Sequence, residues 1–171
     1  VAVSVFHVAD VSHRGASLVS RLTIQLFGGF RLIYEEQEMQ MLYTERFMLL
    51  LSYLLLHSRH NLARKQIAFT LWPDTPEDQA RTNLRNLFHH LKRAFPQIDL
   101  FLDIDGQFVG WKSGAEIDLD VWQFNESLAL ANSTQTDVEQ IQALQAAIHL
   151  YRGELLPGLY QDWILAYREE L

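Results

Sequence analysis

Between Gln79 and Ile98 the chain carries four cations and no acid, while its apolar residues return at helical spacing. On a wheel of 100° per residue starting at Arg81, Ala80, Leu84, Leu87, Phe88, Leu91, Ala94 and Phe95 fall between about 220° and 340°. That arc predicts a buried face. The remainder holds Arg81, Lys92, Arg85, His89, Thr82, Arg93 and Asn86. Solvated helix faces usually mix Glu with Lys to form intrahelical pairs. This face has none, so the fold must bury one side of the helix and offer the other to water or to an anionic partner.

Leu22, Ile24 and Leu26 alternate with polar neighbours, Gly28-Gly29 interrupts, and Phe30, Leu32 and Tyr34 resume the alternation, which predicts two short antiparallel strands. Glu35-Glu36 marks a turn, and Gln37 to Leu42 is expected as a third strand with Met39 and Met41 on one face. Thr44 caps a predicted helix to about His57, with Glu45 in its first turn. A second helix is predicted from about Ala63 to Leu71, stopped by Trp72-Pro73. Thr75-Pro76-Glu77-Asp78 supplies a cap, a proline at the first helical position and an acid three residues after the cap, so the cationic helix is expected from Pro76 to Phe95. Leu100 to Ile104 and Gln107 to Trp111 then alternate around Asp105-Gly106, a dipeptide suited to a type I′ hairpin.

From Asp118 the texture becomes helical. Val121, Phe124, Leu128 and Ala131 recur at helical intervals, Val138, Ile141, Leu144, Ile148 and Tyr151 do likewise, and Asp162 can cap a last helix holding Trp163 and Tyr167. Helical repeats need neighbours to bury their faces, and the sequence ends at Glu169-Glu170-Leu171 without a stop signal, so the helical part is expected to continue beyond it. The predicted organisation is a tail or linker over 1–20, a mixed α+β unit over 21–113, and the start of an all-α unit over 114–171.

Charge follows the same division. The formal total of −7 divides into 0 for residues 1–20, +1 for 21–113 and −8 for 114–171. A nearly neutral segment still attracts phosphate when its cations share one surface, because the field acts over roughly a Debye length of 8 Å. The absence of cysteine excludes a disulfide scaffold, a thiolate nucleophile and any Cys-based metal site, and fits a reducing, cytoplasmic setting. The longest apolar run, Phe47 to Leu56, is half the length of a membrane span of about 20 residues, and no basic region precedes a long apolar core at the N-terminus. Neither membrane insertion nor a signal peptide is expected.

The residue types on the cationic face are those a DNA major groove requires: Arg forks to guanine O6/N7, Asn to adenine N6/N7, and Lys, Thr and His to phosphates or bases. The order short helix, turn, cationic helix, hairpin describes a winged helix-turn-helix, with Gln107 at the hairpin turn and Lys112 just past the second strand. Arg64 and Lys65 sit in the first turn of the preceding helix, where the helix dipole disfavours cations and a phosphate would relieve the conflict.

Taken in order, Leu22-Thr-Ile-Gln-Leu-Phe-Gly-Gly-Phe-Arg-Leu32, Leu71-Trp-Pro-Asp74, Gln79-Ala-Arg-Thr-Asn-Leu-Arg-Asn-Leu87, Tyr151-Arg-Gly-Glu-Leu-Leu-Pro-Gly158 and Asp162-Trp163 resemble the SARP-type bacterial transcriptional activators over about residues 21–171. The resemblance implies an OmpR-type winged helix, followed by a bacterial transcriptional activator domain of tetratricopeptide-like helices. It further implies that Arg81, Thr82, Arg85, Asn86, His89, Lys92 and Arg93 face double-stranded DNA and that the hairpin is a wing near the minor groove. Promoter repeats, RNA polymerase and association of copies on DNA are the partners it implies. No catalysis or cofactor is required. The alternative is a protein-interaction module whose winged helix does not bind DNA.

Other signals are weaker. Asp103-Ile-Asp105-Gly106 lacks the glycine spacing of a calcium loop. His57 and His60, and the adjacent His89-His90, have no nearby acid in sequence to complete a metal site. Gly28-Gly29 fits neither phosphate-binding glycine motif. Trp72, Trp111, Trp122 and Trp163 lie on apolar periods or helix ends, as core residues do.

Overall fold

The computed structural model describes residues 20–39, 44–57 and 61–171. Strand β1 (Arg21–Gln25) buries Leu22 and Ile24 by its alternation and pairs antiparallel with β2 (Arg31–Tyr34), Ile24 opposite Leu32 and Leu22 opposite Tyr34. Glu35 and Glu36 both adopt left-handed φ, 48° and 64°, in the two-residue connection to β3 (Gln37–Glu38). The expected third strand is shorter than its apolar pattern suggested: Met39 lies outside β3, and residues 40–42 fall outside the described set, as do 1–19 and His60.

Helix α1 (Glu45–Leu56) starts at Thr44, whose hydroxyl accepts the Phe47 N–H, and nine of its twelve residues are buried. Helix α2 (Arg64–Leu71) ends at Trp72, and α3 (Glu77–Ala94) follows. The cap of α3 is Pro76 rather than Thr75, with no side-chain cap bond, because extended Pro76 at ψ 142° delays the helix by one residue. Ala80, Leu84, Leu87, Phe88 and Leu91 are buried as the wheel predicts. Ala94, at the edge of the arc, is exposed, while Phe95 is buried as the chain leaves the helix.

A 3-10 turn over Pro96–Leu100 buries Ile98, so β5 (Leu102–Ile104) begins later than Leu100, which is exposed. Strand β6 (Phe108–Trp111) pairs with β5 on one side and on the other with β4 (Leu62–Ala63), a strand the sequence did not announce. The hairpin turn also differs. Neither Asp105 nor Gly106 has positive φ; instead Asp105 Oδ1 accepts the N–H groups of Gln107 and Phe108, both at 2.6 Å. An Asx-type side-chain bond replaces the type I′ geometry, which occurs at Glu35-Glu36 instead.

Strand β7 (Glu116–Leu119) precedes helix α4 (Asp120–Ser133). It pairs parallel with β1, Ile24 opposite Leu119, and makes the sheet order β3-β2-β1-β7, antiparallel but for this last strand. Ile117 and Leu119 alternate with Glu116 and Asp118, a period of two that the following helical repeat masks. Helix α5 (Asp137–Leu150) has Thr136 as its cap, and Glu139 accepts the Thr136 hydroxyl in return. Helix α6 (Asp162–Glu170) is capped by Gln161, with Asp162 in its first turn rather than at the cap. The fold class is α+β: a winged helix-turn-helix with an N-terminal sheet, followed by helices.

Both parts share one core. Leu155, Leu156, Leu159 and Ile164 join the cluster built by β1, α1 and α3. The segment between α5 and α6 adds to the β1–β2 turn through Gly28 N–H to Glu154 O (2.9 Å) and Leu156 N–H to Leu26 O (2.8 Å). A side chain at Gly28 would stand 2.7 Å from the Arg152 carbonyl, at φ 73°, so only glycine fits. Arg168 holds the segment's other side, donating to the carbonyls of Leu155, Leu156 and Leu159 at 2.8 Å each and pairing with Glu154 at 3.0 Å. Replacing Arg168 with Ala is expected to destabilise the chain by about 2–3 kcal/mol in urea unfolding, because three inward carbonyls lose their donor. Lys, lacking the planar fork, is expected to recover little of it.

Candidate nucleic-acid interface

Helix α3 presents its cationic side away from the core, between the N-terminus of α2 and the β5–β6 wing. The strand pair Ala63–Phe108 pulls the wing against the start of α2, and the Arg64 N–H donates to the Gln107 carbonyl at 2.8 Å. The three elements enclose a cleft of about 550 Å³, lined by Arg64, Lys65, Arg81, Arg85, Leu84 and the wing residues Gly106, Gln107 and Phe108. Four cations and no carboxylate side chain line it.

Arg64 is the joint of this cleft. Its Nη1 donates to the Asp105 carbonyl at 2.8 Å, and its guanidinium lies 5.5 Å from the centre of the Phe88 ring. Burial, then the neighbouring charges of Arg85 and Arg81, holds its pKa below the usual arginine value, against the pull of Asp105. Three guanidinium groups therefore repel across a partly desolvated space, and an anion placed there relieves that repulsion. Asp105 is itself held low by the amides of Phe108 and Gln107, so the wing turn stays ionised and fixed.

The remaining sequence-predicted residues separate into groups. Arg81, Arg85 and Arg93 are exposed, and among the described residues no carboxylate lies within ion-pair distance of them. Asn86 and His89 are exposed on the same helix, with the His89 ring 6.0 Å from that of His90. Thr82 is half-buried and donates to the Asp78 carbonyl at 2.9 Å. Gln107 is exposed at the wing turn. Lys65 pairs with Glu77 at 3.0 Å, an exposed pair of little energetic weight. Lys92 pairs with Asp99 at 2.7 Å, and Lys112 donates to the Asp99 carbonyl at 2.5 Å. Neither Lys92 nor Lys112 lines the cleft.

Three contributors were not legible beforehand. Phe88 supplies the ring under Arg64, the Asp105 carbonyl fixes its guanidinium, and Phe108 forms part of the wall. The i, i+3 and i+4 rules that exposed the cationic face carry no information on which hairpin residue meets α2. The tryptophans serve the core, as expected: Trp111 donates to the Leu54 carbonyl at 3.0 Å, Trp163 packs edge-on to Tyr53, and Trp72 and Trp122 pack against the buried cluster. Among the described residues, no group of three His, Asp or Glu is placed to hold a metal ion, and no helix is long and apolar enough to cross a membrane.

The sequence matches no family model and no curated protein. Among solved structures, the chain is similar to Mycobacterium tuberculosis EmbR, determined in complex with a low-affinity phosphopeptide. The two share 17% sequence identity over 88% of this chain, with a TM-score of 0.66. The match spans 41% of the EmbR chain, less than half its length. At this identity the likeness concerns the fold, and the winged helix followed by a helical region described above has that fold.

Proposed function

We propose that this chain is a sequence-specific double-stranded DNA-binding transcriptional regulator, an activator, in which residues 21–113 read the duplex and residues 114–171 begin a tetratricopeptide-like helical domain. The observation that carries the reading is the carboxylate-free cleft of Arg64, Lys65, Arg81 and Arg85 between α2, α3 and the wing. The motifs resembling SARP-type activators and the fold shared with EmbR support it. RNA polymerase and further copies on promoter repeats are the partners this reading implies, in the cytoplasm and without a cofactor.

In the proposed complex α3 enters the major groove, where Arg81, Arg85 and Asn86 face base edges. Arg64, Lys65, Lys92 and Arg93 position the helix on phosphates, Thr82 and His89 flank the reading residues, and Gln107 and Lys112 belong to the wing side. Lys65 and Lys92 exchange their exposed partners Glu77 and Asp99 for phosphate.

Selection of bound duplexes from a random pool, followed by titration of the enriched duplex at several salt concentrations, tests the reading. With about five phosphates contacted, log affinity against log salt is expected to fall with a slope of about −4 to −5. A chain that enriches no duplex and shows no measurable duplex affinity is an interaction module instead.

A further inference from the structure

We propose that the Asp99 carboxylate occupies the position of a backbone phosphate, and that it thereby limits how tightly the chain holds any duplex. The inference rests on the DNA-binding reading and adds to it a residue that opposes binding. Asp99 lies on the 3-10 turn Pro96–Leu100 between α3 and the wing, and one lysine from each side closes on it. Lys92 Nζ, from the last turn of α3, stands 2.7 Å from Asp99 Oδ1. Lys112 Nζ, just past β6, donates to the Asp99 backbone carbonyl at 2.5 Å. The Lys112 N–H donates to the Phe101 carbonyl at 2.7 Å, which fixes the base of the wing against the same turn. Two cations from two elements of the candidate interface thus meet at one acid.

Position along α3 identifies the anion that Asp99 displaces. At 1.5 Å per residue, Lys92 stands about 10 Å beyond Arg85 and about 16 Å beyond Arg81, and on the helix wheel it falls between them. One side of α3 therefore carries two cationic points, the cleft near its start and the pair Lys92 and Lys112 at its end. Their spacing is comparable to the width of a major groove, about 12 Å. A helix seated in that groove has a phosphate backbone along either edge, so the cleft meets one strand and the two lysines meet the other. No carboxylate side chain lines the cleft, whereas the second point is already filled by Asp99. Lys92, Asp99 and Lys112 are all exposed, so phosphate can replace the carboxylate at the cost of one weak ion pair. Asp99 then remains beside the phosphate and repels it. Phosphates carry no sequence information, so Asp99 weakens every duplex alike.

Fluorescence anisotropy with the selected duplex and with a random one, at about 50 and 200 mM salt, tests the proposal. Asp99→Asn is expected to tighten both about three- to tenfold at the lower salt, with the ratio between them unchanged and the gain smaller at the higher salt. In a Lys92→Ala background the same replacement is expected to gain little, so the two changes are not additive. Glu126→Gln removes an equal charge from an exposed position on α4 that forms no ion pair among the described residues, and is expected to change affinity by less than about twofold. No gain from Asp99→Asn, a gain confined to the selected duplex, an equal gain from Glu126→Gln, or full additivity with Lys92→Ala each overturns the proposal. Failure of the DNA-binding reading looks different. If the unmodified chain enriches no duplex while Asp99→Asn gains affinity for the random one, the role of Asp99 stands and sequence-specific reading falls; if neither chain binds any duplex, both fall.

Discussion

Replacing Arg81 and Arg85 together with Ala is expected to lower affinity for the selected duplex by at least about thirtyfold, and to flatten the preference among single-base variants of it. Each arginine that forks to a guanine is worth about 1–3 kcal/mol of discrimination, and because the two stand one turn apart in one cleft the combined loss is set at the lower limit of their sum, about 2 kcal/mol. Both side chains are exposed on α3, seated over the buried Leu84, and carry no carboxylate partner among the described residues, so their loss leaves the core intact. Lys92→Ala makes the contrast. It removes a charge already shared with Asp99, so it is expected to weaken every duplex alike and to reduce the salt slope by about one. Fluorescence anisotropy with matched and mismatched duplexes separates the two outcomes; equal loss on all sequences for the double variant removes Arg81 and Arg85 from base reading. Arg64 belongs to a different class, because its guanidinium is tied to the Asp105 carbonyl and to the Phe88 ring. Its removal loosens the wing as well as deleting a charge.

The second large effect concerns Asp120. Its carboxylate, at the start of α4, accepts the N–H groups of Leu26 at 3.0 and 2.9 Å, Phe27 at 2.9 Å and Val121 at 2.9 Å, so both oxygens serve buried backbone of the β1–β2 turn and of α4. Asp120→Ala is expected to cost about 2–4 kcal/mol in urea unfolding, through orphaned amides and a lost link between sheet and helix. Asp120→Asn is expected to recover part of that loss, since its NH2 group must face a donor where the carboxylate accepts. Burial raises the Asp120 pKa above the ordinary 3.8, against the lowering effect of the amides of Phe27, Leu26 and Val121 and of the nearby Arg152. With the folded value above the unfolded one, the folded chain binds the extra proton in the window just above pH 3.8. The stability this proton contributes is fully present below that window and is lost as pH rises through it. Relative to Asp120→Asn, the unmodified chain is therefore expected to lose stability as pH rises through this interval; a difference that grows with pH refutes the assignment.

The fold was legible where a single element carries its own period. The alternation of Leu22, Ile24 and Leu32 and the arc from Ala80 to Phe95 each encode which side faces the core, because burial repeats with the backbone geometry. It was illegible where pairing is non-local. Strands β4 and β7 are two and four residues long, and each forms only because a distant strand supplies its hydrogen-bond partners. Turn chemistry misled for a related reason. Asp105-Gly106 bears the residues of a left-handed turn, yet the Asp105 side chain satisfies the amides in another way, while Glu35-Glu36 accepts left-handed φ under the register of β2 and β3.

The candidate interface divides along the same line. Which residues are cationic, that no acid interrupts them between Gln79 and Ile98, and which side of the helix they share can all be read along the chain, because those properties depend on neighbours within two helical turns. That Arg64 meets the wing, that Arg81 and Arg85 line a carboxylate-free cleft, and that Lys92 and Lys112 converge instead on Asp99 follow from how the elements pack. Ion pairing and desolvation act through space over a few ångströms, between side chains whose separation along the chain sets no limit on their approach.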